Sequence, residues 1–141
     1  MSERPLPVPD DETKGFWEKA REHVLAIQRC DHCGNLAHPP VSFCSRCHRL
    51  DRPSFAFEPV SGRGRLVSWT VIDRSMVAGF EQDGPVTNAL VRLDEQDDLL
   101  MMATLQPSEE PLAIGRAVEV VFLDVSPDIS LPLFQLAEDG L

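Results

Sequence analysis

Between residues 12 and 28 the apolar positions follow a helical beat. Phe16, Ala20, Val24 and Ile27 fall at steps of 4, 4 and 3, one face of a helix, with Trp17 and Leu25 beside them. Glu18, Lys19, Arg21 and Glu22 lie largely opposite. Asp10 or Asp11 can cap the start, and Asp11 and Glu12 suit the positive end of the helix dipole. The pattern predicts an amphipathic helix over residues 12–28. Ahead of it, Pro5, Pro7 and Pro9 stand among charged residues, which predicts a loose arm that a partner would order.

From residue 55 onward the beat changes to that of strands. Arg65–Asp73 alternates Val67, Trp69 and Val71 with Leu66, Ser68, Thr70 and Ile72. Val86–Leu93 and Leu99–Leu105 flank the polar turn Asp94–Asp98, a hairpin signal. Ala117–Val125 follows Gly115, and Leu133–Leu136 closes the series. Five such strands with few helix signals between them predict a closed Greek-key barrel, most simply an OB-fold. Its interior is expected to hold Val67, Val71, Val91, Leu93, Met101, Val118 and Val120. That leaves Phe16, Trp17, Met76, Phe80 and Phe134 with little core to enter, so they are expected to anchor a partner interface.

Between helix and barrel lie all four cysteines, as Cys30-x-x-Cys33 and Cys44-x-x-Cys47. Gly34 and Pro39-Pro40 interrupt regular structure here, and Leu36, Val41, Phe43 and Leu50 are too few for a core. A metal is expected to hold the segment together. Two tight knuckles offer four thiolates to a tetrahedral ion, zinc or rubredoxin-type iron, and leave no open position for water. The metal is therefore expected to be structural. His32, His38 and His48 are expected at the surface or as donors to the sulfurs. The predicted layout is an arm and helix over 1–28, a zinc ribbon over 29–54 and the barrel over 55–141.

Charge narrows the range of functions. The net charge of −10 is uneven: residues 29–74 hold 7 basic and 4 acidic side chains, residues 75–141 hold 2 and 13. The second half cannot form the basic groove that single-stranded nucleic acid needs, so a nucleic-acid module is the weaker alternative. No apolar stretch approaches membrane-spanning length, and the first residues lack a signal-peptide core, so a cytoplasmic protein is expected. No nucleophile elbow, metalloprotease motif or phosphate loop is present. Gly62-Arg63-Gly64 reads as the entry to a strand. The acidic Asp94–Asp98 cluster reads as a solvated turn rather than a calcium site.

The order of these parts resembles a known family. Phe16-Trp17 leads to Gln28-Arg29-Cys30-x-x-Cys33-Gly34, then Pro39-Pro40 and Cys44-x-x-Cys47. Ser61-Gly62-Arg63-Gly64, Ser68-Trp69-Thr70-Val71, Ala89–Asp94, Ile114-Gly115 before Val118–Phe122, and Leu133-Phe134 follow in turn. The chain is similar to the zinc-ribbon/OB-fold acyl-CoA-associated family, domain of unknown function 35, over about residues 15–136. The resemblance implies an N-terminal helix, a rubredoxin-like ribbon and an OB barrel. It implies a non-catalytic accessory subunit beside a thiolase-fold enzyme (thiolase, acyltransferase or steroid-CoA aldolase), or, as second choice, a MaoC-like hydratase. Coenzyme A thioesters then become the expected ligands of a shared site. On that expectation Arg63, Arg65 and Arg74 face the phosphates and Trp69 packs on the adenine or pantetheine.

Overall fold

The computed structural model describes residues 4–138. Its elements are α1 (Lys14–Arg21), β1 (Ala26–Cys30), β2 (Leu36–Ala37), β3 (Phe55–Pro59), β4 (Arg63–Ile72), β5 (Val86–Leu93), β6 (Leu100–Leu105), β7 (Ala117–Asp124) and β8 (Ser130–Leu136). β2-β1-β3 form an antiparallel sheet around the cysteine segment, and β4-β5-β6-β8-β7 close into a barrel. The mainly β architecture, with one short helix and a cysteine ribbon ahead of a five-stranded barrel, is the expected one.

The helix is shorter than its periodicity suggested. The expected span 12–28 contracts to Lys14–Arg21. His23 adopts φ 61, its N–H bonds the Ala20 carbonyl at 2.8 Å, and the Val24 N–H bonds that of Lys19 at 3.0 Å. This is a Schellman stop with histidine in the left-handed position where glycine is usual. The stop frees Ala26–Cys30 to pair with Phe55–Pro59. Leu25, Ala26, Ile27 and Gln28 are then buried consecutively, which a helical stripe does not allow. At the start, the Asp10 carboxylate accepts the N–H groups of Glu12 at 3.0 Å and Thr13 at 2.8 Å. Those bonds, that of Thr13 first, hold its carboxyl below the usual range.

The core runs through all parts. Phe16, Leu25, Ile27 and Leu36 join Leu66, Val91, Leu93, Leu99, Met101, Leu105, Val118 and Phe134 in one cluster. Two expected interface anchors, Phe16 and Phe134, are therefore core residues. Helix α1 turns Phe16 inward, and Phe134 sits at 0% exposure where β8 meets both β6 and β7. A bulge in β4 between Leu66 and Ser68 moves the inward phase by one residue. Leu66 thus enters the core, and Trp69 packs against it. Val71, expected inside, is 58% exposed. β7 pairs β4 only at Arg63–Arg65, so the far half of β4 runs on beyond that contact.

The Gly62-Arg63-Gly64 string marks tight packing rather than flexibility. A Cβ on Gly64 would collide with the Arg92 carbonyl oxygen, and one on Gly62, at φ +77, would collide with Val120 Cγ1. The arm is held within the chain. Arg4 pairs with Asp83, donates to the Gly79 carbonyl at 3.1 Å and lies 4.4 Å over the Phe80 ring. The arm expected to wait for a partner instead grips the β4–β5 loop.

Candidate metal centre

Each cysteine pair is presented by a turn. Cys30 ends β1 and Cys33 follows in a tight turn, closed by the Gly34 N–H bonding the Cys30 carbonyl at 2.8 Å, with Gly34 at φ +79. The second turn is closed by the His48 N–H on the Cys44 carbonyl at 3.0 Å. The four Sγ atoms lie within 4.8 Å of one another. Cys30 and Cys47 approach to 3.8 Å, and Cys33 and Cys44 to 3.5 Å. Zinc–sulfur bonds of about 2.3 Å place tetrahedral sulfurs about 3.8 Å apart, so this donor set fits an ion held by four thiolates.

Backbone dipoles prepare the sulfurs unequally. The N–H groups of Cys47 and Arg46, the latter at 3.4 Å, draw the Cys44 thiol down to about 6 against some desolvation. At Cys33 the Asn35 N–H also pulls downward, but desolvation and the three neighbouring sulfurs outweigh it and push the thiol up to about 11. Without a cation the crowded sulfurs oppose ionisation at Cys33. A divalent ion removes that conflict and cross-links both turns. All four positions are taken by sulfur, so the ion's contribution is structural.

Two glutamines fasten the ribbon: Gln28 opens the Gln28-Arg29-Cys30-x-x-Cys33-Gly34 string, and no motif marks Gln96. Gln28, a buried residue of β1, donates to the Val41 carbonyl at 2.9 Å and accepts the Val41 N–H at 2.8 Å. Gln96, in the acidic turn, accepts the Leu36 N–H at 2.9 Å and donates to the Leu36 carbonyl at 2.8 Å. Asp98 lies 3.8 Å from Arg46, and Glu95 accepts the Ser61 N–H at 2.8 Å. The turn is solvated as expected, with Asp94, Glu95, Asp97 and Asp98 exposed, and it also joins barrel to ribbon. His32 hydrogen-bonds the Arg52 carbonyl at 2.6 Å. His38, expected at the surface, packs 5.4 Å from the Phe16 ring, and burial lowers its pKa.

The other singled-out residues are dispersed. Arg63 and Arg65 project from one end of β4, where Arg65 donates to the Gly115 carbonyl at 3.3 Å. Arg74 lies past the other end of a strand about 30 Å long at about 3.3 Å per residue. Trp69 faces the core between them. The four do not gather into one site. Trp17 is half-buried, edge-on to Phe16 at 5.0 Å, Phe80 is half-buried beneath Arg4, and Met76 is 96% exposed. One triad-like cluster is connected in a different order from a triad: Ser130 donates to Asp124 at 2.5 Å, and His23 meets the same carboxylate oxygen at 2.8 Å. The hydroxyl bonds the carboxylate and not the imidazole, so the serine–histidine contact of an activated nucleophile is not formed here.

Two family models match in chain order: the ChsH2 rubredoxin-like zinc ribbon domain over residues 17–51 and the ChsH2 C-terminal OB-fold domain over residues 57–123. The chain belongs to the zinc-ribbon/OB-fold family, domain of unknown function 35. It is 28% identical to a chain of a solved structure described as the Ltp2-ChsH2(DUF35) aldolase, with a TM-score of 0.76, covering 93% of this chain and 98% of that one. A DUF35-family protein of unknown function from Sulfolobus solfataricus shares the fold, at TM-score 0.62 and 15% identity over 90% of this chain and 86% of that one. Among curated relatives, a probable enoyl-CoA hydratase alpha subunit of Thermomonospora curvata is 30% identical over 95% of this chain. The 3-oxo-4,17-pregnadiene-20-carboxyl-CoA hydratase alpha subunit of Mycobacterium tuberculosis is 31% identical over 90%. The chain spans 40% and 42% of the lengths of these two relatives. No helix among the described residues is long and apolar enough to cross a membrane.

Proposed function

We propose that this chain is a non-catalytic accessory subunit that docks on a thiolase-fold acyl-CoA enzyme of the thiolase, acyltransferase or steroid-CoA aldolase type and supports its acyl-CoA site. The observation that carries the reading is the near-complete match to the ChsH2(DUF35) chain, 98% of it, in a structure described as an aldolase. The chemistry of the chain agrees. Its metal site is closed by four sulfurs, and its Ser130 hydroxyl bonds Asp124 rather than His23. The names of the two curated relatives favour a second reading, in which the partner is a MaoC-like hydratase.

Under either reading the catalytic groups belong to the partner. The exposed Met76 and Val77 beside Phe80, with Trp17 on the helix, are the remaining candidates for the docking anchors proposed from sequence. Coenzyme A contacts from this chain would come from Arg63 and Arg65 together or from Arg74 alone, since β4 separates them. The test is co-expression with a thiolase-fold enzyme and, separately, with a MaoC-like hydratase from the same organism. A stable complex with the first, and no acyl-CoA turnover by the isolated chain, is expected. Turnover by the isolated chain that a point substitution in it abolishes overturns the reading.

A further inference from the structure

Strand β6 pairs with β5 along Leu100–Leu105 but meets β8 at a single position, Leu105 opposite Phe134. Among the described residues, its second edge is therefore open over most of its length. The Leu93 N–H bonds the Leu99 carbonyl at 3.0 Å, which sets the phase of the β5–β6 ladder. Met101 and Ala103 turn their backbone groups toward β5, and Leu100 and Met102 turn theirs to the open edge. Among the described residues, no backbone hydrogen bond from a turn or loop reaches Leu100–Ala103.

Such an edge is normally blunted by lysine, proline, a bulge or a covering loop. The sequence Leu-Met-Met-Ala-Thr-Leu carries neither lysine nor proline. Its outward side chains are apolar and in solvent, Leu100 at 38% and Met102 at 66% exposure, with Leu90 half-buried opposite Met102. Charge then selects the occupant. Asp97 and Asp98 precede the strand, and Glu109 and Glu110 follow it. Antiparallel pairing with a second copy would bring the acidic turn of one chain to the Glu109–Glu110 end of the other. Like charges at both ends disfavour that pairing, and basic residues flanking a foreign strand would favour theirs.

We propose that the open edge of β6 receives an extended segment of the partner enzyme, with an apolar residue against Met102 and Lys or Arg at its ends. The inference rests on the accessory-subunit reading and assigns its contact. Main-chain bonds from Leu100 and Met102 supply affinity, and the exposed side chains supply selectivity.

The deciding measurement is amide hydrogen exchange of the intact protein, alone and mixed with the co-expressed thiolase-fold enzyme. The Leu100 and Met102 amides are expected to slow roughly 10-fold or more in the complex, while those of Met101 and Ala103 start protected. Met102→Pro removes an outward N–H and no bond to β5, and is expected to weaken the complex roughly 100-fold. Met102→Thr keeps that N–H and is expected to lose less than about 10-fold. Retained zinc and an unchanged circular dichroism spectrum verify that the proline variant is folded. If the enzyme binds while Leu100 and Met102 exchange as in the free protein, the edge assignment fails and the accessory reading stands. If no thiolase-fold enzyme binds the wild-type chain, both fail. Self-association through β6 overturns the choice of occupant.

Discussion

The ribbon and the barrel solve the same problem by opposite means. The barrel encloses Leu66, Val91, Leu93, Met101, Val118 and Phe134, and burial alone gives it a folding drive. In the ribbon, Phe43 and Leu50 stay exposed, and Leu36 contributes its side chain to the common core rather than to a core of its own. What orders the ribbon is four sulfurs and two glutamine clamps. A segment without a core needs few, specific and strong links, and each is a single point of failure. A barrel spreads its stability over many weak contacts and loses them gradually. Gln96 joins the two regimes, since its amide hands Leu36 to the barrel's own hairpin turn.

The largest expected break in this contrast is metal loss. Structural zinc binding is worth about 10 kcal/mol or more in small ribbons. Cys44→Ser, or chelation, is expected to release the ion and unfold the knuckles while β4–β8 stay paired. Metal analysis together with amide exchange over residues 30–52 and 86–93 checks this, and barrel amides that lose protection together with the ribbon would show that the two regions are one cooperative unit. Next comes Phe134→Ala. It empties a fully buried site and is expected to cost about 3–5 kcal/mol in denaturant melts, with zinc stoichiometry unchanged until the barrel itself unfolds.

A smaller effect is expected from Gln28→Ala, which leaves the N–H and C=O of Val41 without their partner. A loss of about 1–3 kcal/mol, together with faster zinc exchange, would place the clamp among the ribbon's true supports. Smallest is a pH effect. Burial depresses the His38 pKa, so the folded form binds a proton less readily than the unfolded chain. That contribution is fully present above pH 6.5, the ordinary histidine value, and is lost as pH falls from there toward the depressed folded value. The slope is at most about 1.4 kcal/mol per pH unit. His38→Gln is expected to flatten it in unfolding measurements made with zinc present, and an unchanged slope would assign the pH response to the cysteines.

Much of the chain was legible from residue order. The paired knuckles announced the metal because zinc chemistry fixes ligand type and short-range spacing, both local properties of a sequence. The barrel strands were legible because alternation and turn residues are local too, and Val86–Leu93 was read to its ends. The helix was overrun because the periodicity of Phe16, Ala20, Val24 and Ile27 passes through His23, whose left-handed backbone carries no strong sequence mark.

What only the tertiary structure decided were relations between distant segments. Whether Phe16 and Phe134 face a partner or a core depends on where α1 and β8 pack, which no window of sequence contains. A one-residue bulge at Val67 lets both Leu66 and Trp69 face the core, while Val71, on the same face as Trp69, is exposed where β4 has run past its pairing with β7. Gln96 looked like one polar residue in an acidic turn until folding set it against Leu36, sixty positions away. The open edge of β6 likewise exists only because β8 meets it at one residue. Spacing and chemistry along the chain fix local elements and metal ligands. Register and packing between elements choose which apolar faces are covered, because burial is a property of the whole assembly of strands and not of any one of them.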